Sequence, residues 1–215
     1  MTPLLSIAYL APVEYYVQLY QSPQVLIEQQ DNYVKQTYRN RCVIASANGL
    51  QTLSIPIIKP ETPKILTRDI RIAGHGDWQH LHWNAIVSAY RSSPFFEYYE
   101  ADFRPFYEKQ PQFLFDFDEQ LRELVCSLVD ISPNVIYSSE YIKTVSGDTL
   151  DLREAIHPKK PAVLNAFKPY YQVFESRFGF QSNLSILDLL FNMGTESVLV
   201  LQNHSSCCCP VYTPI

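Results

Sequence analysis

Arg41-Cys-Val-Ile-Ala-Ser-Ala-Asn48-Gly49-Leu-Gln-Thr-Leu-Ser-Ile55 decides the fold class. Residues 41–47 and 50–55 alternate in polarity around Asn48-Gly49, the dipeptide that supplies the positive φ angles of a two-residue turn, so an antiparallel hairpin is predicted. Working outward, residues 4–10 form a short apolar run bounded by prolines and read as a buried strand, with Pro12 placed to open a helix over 12–20. Residues 24–29 read as a strand, and 64–72 alternate as another before Gly74-His75-Gly76 and a helix capped by Asp77 and running to Ser92. Pro94 and Pro105 are expected to confine the segment between them to a short helix or turn. Residues 117–129 carry Leu121, Leu124, Val125 and Leu128 at helical spacing; 135–137 and 171–174 are short strands, and 146–168 is irregular. Asn183 or Ser185 caps a helix stopped by Gly194, and 197–201 is a last strand. Strands and helices interleave without strict alternation, so the expected fold is α/β, one domain over residues 1–202, with a mixed sheet, an antiparallel hairpin and flanking helices, followed by a frayed tail at 203–215.

Composition agrees with a well-buried globular chain: 47% hydrophobic and 18% charged over 215 residues. With a net charge of −5 and scattered basic residues, nucleic acid is excluded as an expected partner. The apolar run at 4–11 is far short of the ~20 residues that span a bilayer and has no basic segment before it, so a cytoplasmic protein without a membrane span is expected. The five cysteines are odd in number, and Cys207, Cys208 and Cys209 are contiguous rather than spaced as zinc ligands, so reduced thiols and no metal are expected. No Walker loop, dinucleotide fingerprint or zinc signature is present, and no cofactor is called for.

Two stretches carry candidate chemistry. If residues 35–41 are extended, Lys35, Arg39 and Arg41 share one face and form a row able to hold phosphate; the alternative is a charged, solvated strand edge. Asp77-Trp78-Gln79-His80-Leu81-His82-Trp83 begins a helix on which the two histidines point to nearly opposite sides. They cannot share a metal there, but either is a candidate general acid or base, against a plain reading as a packed aromatic helix. Asp116, Asp118 and Glu119 are read as helix-start acids that favour the macrodipole.

Taken together, Tyr33 to Cys42, Asn48-Gly49 with Leu53 to Pro56, Trp78 with His82-Trp83, and Asn183 to Gly194 resemble the WbqC-like family, from the first strand to about Leu201. The resemblance implies a place in bacterial surface-polysaccharide gene clusters and transfer of an amino acid or acyl group to a sugar. It marks Asn40, Arg41, Trp78, His82, Trp83, Ser185, Asp188 and Asn192 as recurrent positions. Many members open with His-Gln-Pro and then Tyr-x-Pro-Trp, whereas here Ser6-Ile-Ala-Tyr-Leu-Ala-Pro12-Val13 keeps the proline and lacks the histidine and tryptophan.

Two functions follow as expectations. The first is a transferase that modifies a nucleotide- or lipid-linked sugar of O-antigen type. In it Lys35, Arg39 and Arg41 hold phosphate, Asn40 orients a hydroxyl, His80 or His82 moves a proton with Asp188 positioning it, and Trp78, Trp83 and Asn192 complete the ligand site. The second is a noncatalytic module binding a glycan intermediate or a partner protein. The oligomeric state is not legible.

Overall fold

A computed structural model describes residues 1–59, 62, 64–145 and 147–203; the triple cysteine and the predicted tail beyond residue 203 lie outside the described residues. Strand β1 (Thr2–Ser6) leads to helix α1 (Val13–Gln21), then β2 (Val25–Glu28). The hairpin is β3 (Arg41–Ser46) and β4 (Gly49–Ser54), paired Arg41 to Ser54 through Ser46 to Gly49. Helices α2 (Trp78–Tyr90), α3 (Phe96–Glu108) and α4 (Leu114–Leu128) follow, then β5 (Val135–Tyr137) and β6 (Thr149–Asp151). The last elements among the described residues are α5 (Glu175–Phe178), α6 (Ile186–Met193) and α7 (Ser197–Gln202).

The architecture is α/β, with a four-stranded sheet in the order β5-β2-β1-β6, every pair parallel, and the hairpin as a separate antiparallel sheet. The mixture of strand directions expected from sequence therefore lies between two sheets, not within one. Connections leave β1 toward β2 on one side, and β6 returns on the other, so the strand order reverses beside β1. In open α/β sheets this reversal opens a crevice at the carboxyl ends of the strands. Helix α6 is buried on every side, from Ile186 to Asn192, and packs on β3, α1 and α3, while α2 also packs on β3.

Several local expectations are corrected. Strand β1 stops at Ser6 because Leu10 takes a left-handed φ of 43° and the chain turns toward Pro12. Residues 64–72 make only isolated bridges, Asn32 with Leu66, Ile57 with Ile72 and Arg71 with Phe113, around a tight turn at Thr67–Asp69. Buried Asp31 forms that turn, since its carbonyl takes the Thr67 amide and its carboxylate takes the Thr67 hydroxyl, which competes with a ladder. Residues 96–108 make a full helix; Pro105 sits on its exposed side in the last turns, where Ala101, whose carbonyl loses a partner, faces solvent. Residues 171–174 form no strand, and 146–168, expected to be irregular, contributes β6. Residues 197–202 are helical despite their β-branched residues, because Val200 and Leu201 are buried as α7 packs on α1.

Candidate functional site

The row of three cations does not form. Thr37 Oγ1 accepts from the Arg39 amide at 3.3 Å and caps a tight turn at Tyr38–Asn40, whose three-residue period sends successive side chains in different directions. Lys35 is exposed, Arg39 is buried at 2% exposure, and Arg41 is half-buried at the start of β3. An extended segment would have aligned them; a local hydroxyl cap prevents it.

Arg39 closes the crevice at the carboxyl ends of the sheet. Its Nη2 donates to Ser6 Oγ at 2.7 Å, Asp31 at 2.6 Å and Glu154 at 3.0 Å. Beside it, Glu28 at the end of β2 accepts from Ser138 Oγ, the Gln30 and Ile142 amides and Arg153. Asp151 ends β6 and holds Arg153 at 2.6 Å. The cavity left there, between Ser6, Tyr38, Arg39 and Arg153, is about 10 Å³, room for about one water. Strand ends, the 31–41 loop and the segment after β6 are thereby tied together.

The turn's other side faces a different cluster. Tyr9 Oη lies 3.0 Å from His82 Nδ1 and 2.8 Å from Tyr107 Oη. Burial lowers the pKa of His82 to about 4, against the opposing pull of the Ser54 main-chain carbonyl, so the imidazole is neutral near neutral pH. A carbonyl only accepts, so the single ring proton belongs on the nitrogen facing Ser54. Nδ1 then accepts from Tyr9, and Tyr9 from Tyr107. The chain of hydroxyls is directed.

Aromatic rings enclose this chain. Trp78 meets His82 edge-on at 5.1 Å and Phe117 at 5.8 Å, Phe117 stacks on Tyr9 at 6.0 Å, and Trp83 stacks on Tyr107 at 5.6 Å. Asn40 Nδ2 donates to the Ile55 carbonyl at 2.9 Å. Several buried polar atoms here have no protein partner: Asn40 Oδ1, Arg41 Nε, Trp78 Nε1 and both carboxylate oxygens of Asp118. Asp118 follows Phe117 on α4, which packs on the Tyr38–Asn40 turn. Its charge raises the pKa values of Tyr9, Tyr107 and Cys42, in each case after burial, and it is the leading electrostatic neighbour of Tyr33, which is pushed up to about 12. Arg39 Nε and Asn192 Oδ1 also lack a protein partner; buried atoms of this kind are ordinarily satisfied, and five of the seven belong to Asn40, Arg41, Trp78 and Asp118, which makes these four residues the candidates for a ligand site.

Phe117 also faces outward. With Phe106 it lines a surface cavity of about 430 Å³ between the end of α3 and the start of α4, whose other walls include Lys109, Gln110, Gln112 and Gln120. Asp116 also lines it; aromatic surface flanked by amides, a cation and a carboxylate suits a polar ring compound, which presents both C–H faces and hydroxyls.

The other sequence candidates lie apart. His80 is exposed on α2, its Nε2 2.8 Å from Asn84 Nδ2. Asp188 does not orient a histidine: it accepts from Tyr90 at 3.1 Å, Tyr170 at 2.8 Å and Gln172 at 2.7 Å, and burial raises its pKa to about 6 against those bonds. Asn192 donates to the Asp188 main-chain carbonyl at 2.7 Å. Ser185 Oγ donates to the Leu10 carbonyl and accepts from the Leu187 amide. These residues bind the α6 region to the core. Tyr9, Tyr107, Phe117 and Asp118 were not among the sequence candidates; Asp118 had a signal, since it falls on the apolar stripe with Leu114, Leu121 and Val125.

Among the described residues, no group of three or more His, Cys, Asp or Glu is arranged to hold a metal ion, and no helix is long and apolar enough to cross a membrane. No solved structure matches the chain. An uncharacterized protein of Mycobacterium tuberculosis, Rv1507c, is 26% identical over 197 residues, covering 77% of this chain and 81% of that protein. A family model covers residues 8–160, which include Tyr9, the hairpin, α2 and Asp118, whereas the Asn183 to Gly194 segment lies outside the match. On that match the chain belongs to the WbqC-like protein family.

Proposed function

We propose that this chain is a transferase that modifies a nucleotide- or lipid-linked sugar in bacterial surface-polysaccharide assembly, acting in the cytoplasm by acyl or aminoacyl transfer. The observation that supports it is the gathering of unpartnered buried polar atoms on Asn40, Arg41, Trp78 and Asp118 beside a directed Tyr107–Tyr9–His82 chain. The pathway rests on the family resemblance.

In this reading the sugar lies in the aromatic-walled cavity against Phe117. Arg41, which has no carboxylate within ion-pair distance among the described residues, takes a phosphate oxygen, while Asn40 Oδ1 accepts from a sugar hydroxyl. Neutral His82 receives a proton through Tyr9, as a general base must at neutral pH. The chain lacks the N-terminal histidine that many family members carry, and the imidazole is supplied from α2 instead.

Calorimetric titration with nucleotide-linked sugars tests the reading. Arg41→Ala should weaken binding about 10- to 100-fold, as expected for one charge-assisted bond of about 1.5–3 kcal/mol. Equal affinity in the variant, for every nucleotide sugar that binds the parent, removes the phosphate role and with it the transferase reading.

A further inference from the structure

We infer that Asp118 is a recognition group for an amino group on the ligand, so that the substrate is amine-bearing. This deepens the reading above and rests on it only for the sugar that carries the amine.

The buried carboxylates of this protein set the comparison. Glu14 accepts from Asn183 Nδ2 at 2.8 Å and the Val163 amide at 2.6 Å. Glu28 accepts from four donors, Asp31 from Arg39 and Thr67, Glu119 from Arg122 and Tyr137, and Asp188 from two tyrosines and Gln172. Asp118 is buried to the same degree, at 1% exposure, yet neither oxygen has a protein partner. A chain that satisfies five buried carboxylates and leaves the sixth bare keeps an unstable group in its core, and the common reason for that is use.

The surroundings specify the occupant. An anion is repelled by the carboxylate. A metal ion needs several hard donors together, and no such group exists among the described residues. Neutral hydroxyls donate hydrogen bonds but bring no charge to offset the one that burial disfavours. An ammonium brings both, and it is attracted to aromatic rings, which are at hand in Phe117, the preceding residue, and in Tyr9 and Trp78 that pack on it. Phe117, the residue before Asp118, also lines the surface cavity of about 430 Å³.

The test is titration of the full chain near neutral pH with glucosamine, N-acetylglucosamine, glucose and methylammonium, repeated with Asp118→Asn. Glucosamine should bind about 10- to 100-fold more tightly than its N-acetyl derivative, and Asp118→Asn should erase that difference without lowering the unfolding midpoint. The comparison of ligands on the parent protein holds even if the variant fails to fold. Equal binding of the amine and its acetamide overturns the amine assignment and leaves the sugar reading in place. Methylammonium binding that depends on Asp118, with no preference for a sugar, keeps the amine assignment and removes the sugar. Failure of both amines to bind overturns it.

Discussion

Replacing Asp118 by asparagine should stabilise the protein, by an amount that grows with pH. The unfolded carboxyl titrates near pH ~3.9, whereas burial, and secondarily the charge of Glu119, raises the folded value well above that. Between those two values the native state holds a proton that the unfolded state has lost, so native stability falls as pH rises, by about 1.4 kcal/mol per pH unit, and levels off above the folded pKa. Other groups titrate in the same range with different signs. His82, lowered to about 4, makes stability rise with pH, whereas Asp188, raised to about 6, makes it fall. The pH profile of the parent alone is therefore uninformative, but these terms are common to both proteins and cancel in the difference. Urea unfolding of parent and variant from about pH 4 to about pH 7 should give a difference that moves in the variant's favour by about 1.4 kcal/mol per unit at first. The amide adds a constant offset, so the slope decides. A flat difference, or one favouring the parent at the upper end, would show that Asp118 is paired in the native protein and would refute the argument.

Two further outcomes test the scaffold. Arg39→Met leaves Asp31 as an uncompensated buried charge and should cost about 3–5 kcal/mol in the urea midpoint analysis, a cost that Asp31→Asn in the same chain should partly relieve. Gly194 has φ +56°, and a Cβ there would lie 2.5 Å from the Phe95 ring, so Gly194→Ala should destabilise by about 1–3 kcal/mol through overpacking; a thermal midpoint equal to the parent's would contradict that packing.

The features readable in the sequence are those whose cause is local. Asn48-Gly49 carries the hairpin turn within two residues, and Ser185 with Gly194 brackets α6 by a hydroxyl cap and a positive-φ stop. Strand β6 was not readable because Thr149-Leu-Asp151 has no strand pattern of its own and becomes one only by pairing with β1. Helix α7 was misread because its β-branched residues favour a strand until packing on α1 overrides them. The candidate site divides in the same way. Trp78 and His82, four residues apart on α2, are in ring contact as their helical spacing allows, but the cation row assumed an extended chain and overlooked the hydroxyl of Thr37 as a cap. Tyr9 and Tyr107 are 98 residues apart, and only the folded chain brings their hydroxyls together. Asp118 was legible as a carboxylate on an apolar stripe, and was instead assigned to the helix dipole.

A crystal structure with a nucleotide-linked amino sugar bound tests the central claim most directly. The sugar should lie against Phe117, its amine on the Asp118 carboxylate and its diphosphate on the Arg41 guanidinium. A ligand found at the strand ends beside Arg39 and Glu154, with Asp118 and Arg41 untouched, would contradict it.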